Sequence, residues 1–178
     1  IGMLIETLKK AGQLENTVII FTSDHGDGCG SHRWNQKQIL YEEVINVPFI
    51  VSLPGRLHAR TEDRLVSAGL DILPTLLEVA QVERPGARFQ GQPIKPPTGH
   101  SLLPVLANPA QHVRASDEPL GYELSGNKAL FKGDLKIVLN NPPIGDGQWH
   151  LYDLRTDPGE TKDLQQQRPQ EFAAMQAA

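Results

Sequence analysis

Residues 17–22 read TVIIFT, a continuous apolar and β-branched run. Such a run is typical of a strand that is buried on both faces, as in a parallel sheet covered by helices. A second run of this kind, PFIVSL, follows at residues 48–53 and is closed by Pro54 and Gly55. Because open sheets usually have several strands, two alone would leave apolar faces and edges uncovered. The pattern favours an α/β domain whose other strands lie upstream. A mixed sheet completed by later strands is the alternative.

The rest of the first half is patterned for helices. Helices are predicted over residues 1–12, 35–44 and 71–79. In the second of these, Asn35 is the predicted N-cap and Lys37 lies in the first turn, where a cation opposes the helix dipole. In the third, Asp71 is the predicted N-cap, and Pro74 is tolerated because it falls in the first turn. Local rules are broken most often at functional sites, so Lys37 is a candidate anion-binding residue.

The composition changes in the second half. Dense Pro and Gly from residue 85 to residue 99 predict a segment without long helices or strands that runs over the surface, a surface excursion. A short helix is predicted over residues 101–106. Four strands of an antiparallel meander are predicted over residues 120–124, 128–131, 135–139 and 149–154. Pro169 is placed to begin a closing helix. The predicted plan is an α/β part over residues 1–108, followed over residues 109–178 by a small α+β subdomain with an antiparallel sheet.

Composition and charge exclude several classes of protein. The chain has 178 residues, 39% of them hydrophobic, which is enough for a domain with a core. Its formal net charge is -4, so no basic surface for nucleic acid is expected. No apolar run is long enough to span a bilayer. No secretory signal is visible, which means little in a chain that begins at Ile1 rather than at an initiator Met. A single cysteine, Cys29, cannot form an internal disulfide.

The candidate chemistry begins directly after the first predicted strand. In open α/β sheets, ligands bind beyond the carboxyl ends of the strands, and Asp24 and His25 lie at such an end. A carboxylate oxygen beside an imidazole nitrogen can bind one divalent cation. Without further context, an Asp in a turn next to a surface His is the simpler interpretation. His32 lies between this pair and Lys37. It is a candidate acid, anion donor or metal ligand, or else a loop histidine without a role.

Several sequence blocks occur in a fixed order along the chain. They read FTSDHG, GSH, WNQK, YE and VPFIV, followed by LDILPTLL, GHSLLPVL and the ending WHLYDLRTDPGETKDLQ. These blocks resemble the sulfatase family of the alkaline-phosphatase superfamily, whose members carry similar blocks in this order. The resemblance covers nearly the whole chain. One block could arise by chance, whereas several in sequence are a strong signal.

The resemblance implies part of an alkaline-phosphatase-like sheet sandwich and the hydrolysis of sulfate esters. It matches Asp24 and His25 to two metal ligands, and Lys37 to the lysine that holds a sulfate oxygen. His32 falls on a position near the substrate and is a candidate catalytic or substrate-binding residue. Calcium is the usual metal of sulfatases, but a histidine ligand is not typical of calcium. Relatives with this Asp-His pair that cleave phosphate or phosphonate esters often use manganese or zinc.

The resemblance also implies parts that these residues do not contain. Sulfatases use a nucleophile, formylglycine, made from a Cys or Ser in a C-x-P-x-R motif near the start of the protein. We expect formylglycine and two further Asp ligands on a missing N-terminal portion. The segment from Cys29 to Arg33 reads C-x-S-x-R, but it follows the metal pair and is interpreted as a chance likeness. Arg33 and Trp34 are near enough in sequence to shape substrate entry and are candidate substrate-binding residues; packing is the equal alternative for each.

The residues are compatible with three functions. The first is a metal-dependent, formylglycine-type sulfatase of which this chain is the C-terminal part, inactive on its own. The second is a phosphodiesterase or phosphonate monoester hydrolase that uses the same Asp-His-Lys frame, and the third is a non-catalytic C-terminal module. The expected substrate of the first is a sulfated small molecule or sugar. A periplasmic or secreted location is suggested by the resemblance alone.

Overall fold

The computed structural model describes residues 1–61 and 67–178 of the chain. Its helices are α1 (Gly2–Lys10), α2 (Glu42–Ile45), α3 (Ala68–Val79), α4 (Leu103–Ala107) and α5 (Pro169–Gln176). Its strands are β1 (Ile19–Thr22), β2 (Phe49–Ser52), β3 (Arg88–Phe89), β4 (Gln92–Pro93), β5 (Leu120–Leu124), β6 (Asn127–Lys132), β7 (Leu135–Leu139) and β8 (Trp149–Asp153). The chain packs into two compact units, Ile1–Thr22 with Phe49–Ala115 and Ser23–Pro48 with Ser116–Ala178. The predicted boundary at residue 108 stays a prediction.

Strands β1 and β2 form a two-stranded sheet in the first unit. They pair antiparallel, with Phe21 opposite Ile50, so the prediction of parallel strands is wrong. An apolar run indicates that a strand is buried but not in which direction it pairs. Two consecutive strands can pair in parallel only if a long connection, usually a helix, joins them. The connection contains one α-helix, the four-residue α2. Phe21 and Ile50 are 45% and 58% exposed, so within the described residues these strands are not buried on both faces.

Helix α3 begins earlier than predicted, at Ala68, with Ser67 as its N-cap. The prediction that Asp71 is the N-cap is wrong, and Pro74 lies inside the helix rather than in its first turn. The Asp71 carboxylate still accepts a backbone N–H at the helix start, because Ser67 donates to it at 2.8 Å. A capping pattern in a sequence does not distinguish an Asp at the N-cap position from an Asp inside the helix whose side chain accepts the N–H of the N-cap residue.

The buried Asp71 carboxylate organises the first unit. Arg114 donates to both of its oxygens, at 2.7 and 2.6 Å, and the backbone N–H of His100 donates at 2.9 Å. At Gly99 the chain passes so close that an added Cβ would lie 2.0 Å from the carbonyl oxygen of Leu70. The small apolar core of this unit consists of Leu102, Val105, Val113, Phe49 and Leu106. The hydrogen bonds around Asp71, which we call the Asp71 hub, therefore stabilise this unit together with its small apolar core.

The Pro- and Gly-rich segment forms a short hairpin from β3 and β4, and both strands are exposed, which confirms the predicted surface excursion. The predicted short helix after it is also present, as α4. Across residues 1–61 and 67–178, no helix combines the length and apolar character needed to cross a bilayer.

The second unit contains the predicted meander. Strands β5, β6, β7 and β8 are neighbours in that order and pair antiparallel throughout. Gly133 supports the tight turn between β6 and β7 with a φ of 58°, a conformation that favours glycine. Helix α5 begins at Pro169 as predicted. Its residues Phe172 and Met175 pack on a core that includes Ile137 of β7.

On strand β8, His150 lies between two carboxylates. Its Nδ1 is 2.8 Å from Asp163 and its Nε2 is 3.0 Å from Asp146. Burial alone would lower the pKa of His150, but the two carboxylates outweigh burial and raise that pKa above 6.5. A protonated His150 therefore stabilises the fold, and this contribution is complete below pH 6.5 and lost as the pH rises through the higher folded pKa.

Substitution of His150 by Gln is expected to reduce the free energy of unfolding by about 1 kcal/mol or less, because the site is partly exposed. The reduction should be measurable below about pH 6 and should disappear at alkaline pH. Urea unfolding of the wild type and the variant across this range measures the difference. The exposed His112 provides the control, since His112→Gln should give no such pH dependence. A difference that grows with rising pH would contradict the prediction.

Candidate active site

Asp24 and His25 follow β1 directly and present two donor atoms side by side. His25 Nε2 lies 3.5 Å from Asp24 Oδ2. The other ring nitrogen, Nδ1, is 2.7 Å from the carbonyl oxygen of Gly26 and must donate a proton to make that hydrogen bond. In the neutral ring, Nε2 then carries the lone pair on the side of the Asp24 carboxylate. Two adjacent acceptors of this kind favour a cation, and metal-binding histidines usually donate their other ring N–H to a carbonyl or carboxylate oxygen.

The Asp24 carboxylate is held in its charged form. The backbone N–H of His25 donates to Asp24 Oδ1 at 3.0 Å, and this bond lowers the pKa of Asp24 below its ordinary value. A protonated His25 and the ammonium of Lys37 would each lower the same pKa further. The effect of Lys37 is the smallest of these, and the assignment of Lys37 to the sulfate group stays a prediction. Asp24 is 84% exposed, so a ligand can reach it.

Gly26 fixes the backbone position next to the Asp24–His25 pair. Its N–H donates to the carbonyl oxygen of Val44 at 2.7 Å. A Cβ at this position would lie 2.1 Å from the carbonyl oxygen of Glu43, so no other residue fits without moving the backbone. The requirement for glycine in the sequence pattern is thus a packing requirement against α2.

Lys37 does not lie on a helix. The predicted helix over residues 35–44 is wrong, because only Glu42–Ile45 is helical and residues 36–38 form bends. The apolar spacing that suggested the helix reflects burial of Ile39 and Leu40, which irregular backbone also provides. The argument that Lys37 opposes a helix dipole therefore fails. Its backbone is held instead by Trp34, whose Nε1 donates to the Lys37 carbonyl oxygen at 3.0 Å.

Arg33 and Lys37 are both exposed on the loop that follows the Asp24–His25 pair, and Trp34 between them is half-buried. Arg33 has a φ of 60°, which is uncommon for a side chain other than glycine. Such conformations cluster at functional sites. The assignment of Arg33 and Trp34 to substrate binding stays a prediction.

His32 is engaged with other groups. Its ring stacks on Tyr41 with the ring centres 3.7 Å apart, and Nε2 lies 3.2 Å from the carbonyl oxygen of Gly159. Nε2 is also 3.8 Å from Glu43 Oε1. The ligand-type atoms of His32, Glu43 and Glu160 all lie within 4.8 Å of one another. Sequence reasoning identified His32 but missed Glu43 and Glu160; the Glu in the DPGE block of the sulfatase-like ending was the available signal.

A buried ion-pair network lies beside this cluster. Lys136 is fully buried on β7, and its Nζ lies 2.8 Å from Glu160 Oε1 and 3.0 Å from Glu42 Oε1. The other oxygen of Glu160 accepts the backbone N–H of Glu42 at 2.6 Å. Burial raises the pKa of Glu160 to about 7, although the ammonium of Lys136 opposes that rise. One cation thus serves two carboxylates, and the network ties α2 to the meander.

An open depression of about 490 Å³ borders the cluster, lined by Ser31, His32, Glu43, Tyr152, Gly159, Glu160 and Thr161. Two carboxylates in the lining disfavour an anion such as sulfate. Two exposed cations, Arg33 and Lys37, lie instead on the loop that follows the Asp24–His25 pair.

Sequence comparison supplies the family. A family model described as Sulfatase matches residues 1–82. The N-acetylglucosamine-6-O-sulfatase of Bacteroides thetaiotaomicron is 30% identical over 165 residues, which cover 92% of this chain and 29% of that protein. Arylsulfatase K of Danio rerio is 33% identical over 181 residues, which cover 95% of this chain and 32% of that protein. The chain belongs to the sulfatase family.

The fold of this sulfatase-family chain agrees with that membership. A solved protein in complex with its substrate D-glucosamine-2-N,6-O-disulfate matches it with a TM-score of 0.75 at 27% identity, covering 99% of this chain and 36% of that one. The observed mixture of helices and antiparallel sheets is therefore an alkaline-phosphatase-like arrangement. The chain spans about a third of the length of the relatives it matches.

Proposed function

We propose that this chain supplies part of the active site of an enzyme that hydrolyses sulfate esters. The observation that carries the proposal is the pair of donor atoms, Asp24 Oδ2 and His25 Nε2, 3.5 Å apart in a chain of the sulfatase family. In the proposed arrangement, Asp24 and His25 hold a divalent cation and Lys37 binds a sulfate oxygen. Arg33 and Trp34, on the same loop, are proposed to line the approach of the substrate.

The donor set fits a divalent metal. The pKa of its carboxylate is lowered, and Nε2 is the ring nitrogen that remains for a metal because Nδ1 donates to the Gly26 carbonyl oxygen. When bound, the cation supplies Lewis-acid stabilisation of the sulfate group. Calcium, the metal usual in the family, prefers oxygen ligands, whereas manganese and zinc also accept imidazole. We propose calcium first because it is the usual metal of the family, and we keep manganese and zinc as the ions to compare because they suit the His25 ligand better.

The residues of this chain have separate proposed tasks. Lys37 neutralises charge on the sulfate oxygens and orients the group for displacement of the alcohol. His32 is proposed to donate a proton to the leaving alcohol or to contact the substrate. Its contacts with Tyr41 and Gly159 fix its ring, so any proton donation has to start from that orientation.

The nucleophile is proposed to lie on another part of the gene product. No C-x-P-x-R motif occurs in the 178 residues. The exposed Cys29 lacks the features of an activated thiol, because a hydrogen bond with Asp27 and the charge of that carboxylate raise the pKa of Cys29. Reactive cysteines have depressed values and electropositive surroundings. Formylglycine on an upstream portion is the proposal that accounts for both facts.

Exposed apolar side chains support an upstream partner segment. Phe21 and Ile50 are opposite each other on the β1–β2 pair and are about half exposed. Helix α3 exposes Leu70, Leu73, Leu76 and Val79, spaced three residues apart. Apolar rows of this kind usually mark surfaces that are covered in the working protein. We propose that the remaining strands and helices of the sulfatase fold cover them.

The test of this proposal is the intact mass and tryptic peptide map of the native gene product. A longer protein with an upstream C-x-P-x-R peptide, lighter than its encoded Cys form by conversion to formylglycine, is the expected result. A native product that begins near Ile1 would overturn the sulfatase proposal in favour of a non-catalytic module.

Removal of the metal is expected to abolish turnover of p-nitrophenyl sulfate by the intact gene product. EDTA followed by calcium, manganese or zinc identifies the ion that restores activity.

Sulfated glucosamine is the second substrate to assay, because the sulfatases that this chain resembles include proteins that act on such sugars. The same preparation should be compared on p-nitrophenyl phosphate and a phosphonate monoester. Faster turnover of either would favour the phosphodiesterase or phosphonate hydrolase alternative, and EDTA-resistant turnover would exclude the proposed metal.

A further inference from the structure

One exposed carboxylate, that of Asp27, ties together the loop that carries Lys37. Its Oδ1 accepts the backbone N–H of Cys29 at 2.8 Å and the backbone N–H of Gln36 at 3.1 Å. The first donor is at the beginning of the loop and the second is at its end. A single oxygen atom therefore closes the loop.

The loop needs such a tie because its backbone is unfavourable. Five residues other than glycine have left-handed φ values, namely Cys29, His32, Arg33, Gln36 and Gln38. Each of these conformations is uncommon for a residue with a Cβ and persists only where the surroundings hold it. Two backbone bonds cross the loop, from Gly28 N–H to the Gln36 carbonyl and from Gly30 N–H to the Trp34 carbonyl. Asp27 adds a side-chain bond at each end of this set.

Lys37 comes directly after the residue that Asp27 binds. It is flanked by Gln36 and Gln38, with φ values of 72° and 90°. Its carbonyl oxygen is held by Trp34 Nε1. The direction in which the Lys37 side chain leaves the backbone is thus set by two adjacent left-handed residues, one of which is bonded to Asp27.

We propose that Asp27 is a positioning residue that holds Lys37 in place beside the Asp24–His25 pair. Asp27 acts through the backbone of Gln36 and does not contact the substrate. The inference rests on the proposed function, in which Lys37 binds the sulfate group. Its consequence is that loss of the two Asp27 hydrogen bonds misplaces the ammonium while leaving the fold intact, since Asp27 is exposed.

The test uses the intact gene product and a double-mutant cycle with p-nitrophenyl sulfate. Asp27→Ala is expected to lower kcat/KM by about tenfold or more, because small misplacements of binding groups have large effects on rate. Asp27→Asn keeps an oxygen that can accept both N–H groups, and it should recover activity to within about threefold of wild type. In a Lys37→Ala background, Asp27→Ala should change kcat/KM by less than about twofold.

The outcomes separate the inference from the proposed function. If Lys37→Ala leaves kcat/KM unchanged, the proposed role of Lys37 fails and the inference fails with it. If Lys37→Ala lowers kcat/KM but Asp27→Ala does not, or if the two effects simply add, only the inference is overturned. A melting temperature of Asp27→Ala far below that of wild type would also overturn it, because Asp27 would then support the whole fold. Faster exchange of the Gln36 amide hydrogen in Asp27→Ala than in Asp27→Asn is the expected direct signature.

Discussion

Replacement of Lys136 by Met is expected to reduce the free energy of unfolding by about 3–5 kcal/mol, because it leaves the buried Glu160 and the half-buried Glu42 without their cation. Lys136 is fully buried and lies within 3.0 Å of both Glu42 and Glu160. Methionine fills a similar volume and removes the ammonium, whose Nζ lies 5.0 Å from the centre of the Phe131 ring. The loss therefore reports the charge and not a cavity. Urea unfolding measures it.

The Lys136→Met effect should depend on pH. The pKa of Glu160 is raised from 4.5 to about 7, so in this protein its charged form destabilises the fold above that range, and protonation relieves the penalty as the pH falls towards 4.5. Without the ammonium the pKa of Glu160 rises further. The stability difference between variant and wild type should therefore be larger at about pH 8 than at about pH 5.

Two further variants test whether the loss comes from the unpaired carboxylates. Lys128 is exposed on the neighbouring strand β6, and Lys128→Met should change stability by less than about 0.5 kcal/mol. Glu160→Gln in the Lys136→Met background should restore part of the loss, since it removes one unpaired charge and keeps an oxygen for the Glu42 N–H. A Lys136→Met protein as stable as Lys128→Met at alkaline pH would show that the network contributes nothing.

The elements predicted correctly from sequence are those specified by local signals. The meander follows from short apolar runs separated by turn residues, and α5 follows from Pro169 at a helix start. The direction of β1 relative to β2 and the irregular backbone around Lys37 depend on contacts between distant segments. A run such as TVIIFT contains no information on which neighbour it pairs with, and the spacing of Ile39 and Leu40 is compatible with a helix or a buried loop.

The residues of the candidate site also fall into two groups, those identified from a local motif and those that depend on contacts between distant segments. Asp24, His25 and Lys37 were identified because a short motif resembles a known family, and their roles stay predictions. The structure places donor atoms of Asp24 and His25 3.5 Å apart. Glu160 and Lys136 were missed because their partners in the sequence are distant: Glu160 binds the N–H of Glu42, 118 residues away. A lysine within a strand usually indicates an exposed face, so the complete burial of Lys136 contradicts the ordinary pattern.

The second large effect is expected at Asp71, where replacement by Asn should reduce the free energy of unfolding by about 3–5 kcal/mol. The wild-type carboxylate is fully buried and accepts four hydrogen bonds, two from Arg114 and one each from the N–H groups of Ser67 and His100. Burial by itself would raise the pKa of Asp71, but these donors outweigh it and lower that pKa. Asparagine presents an NH₂ donor to the guanidinium of Arg114 and removes the negative charge that faces it.

The chain contains a matched control for Asp71. Arg155 and Asp134 form the same type of ion pair, 3.3 Å apart, with side chains that are 74% and 62% exposed, whereas those of Arg114 and Asp71 are 5% and 0% exposed. Asp134→Asn should change stability by less than about 1 kcal/mol, since water screens the exposed pair. Because the stability from Asp71 is present above its ordinary pKa of 3.8 and lost as the pH falls through the lower folded pKa, the two variants should differ most near neutral pH. Equal losses in Asp71→Asn and Asp134→Asn would mean that the Asp71 hub does not hold the first unit together.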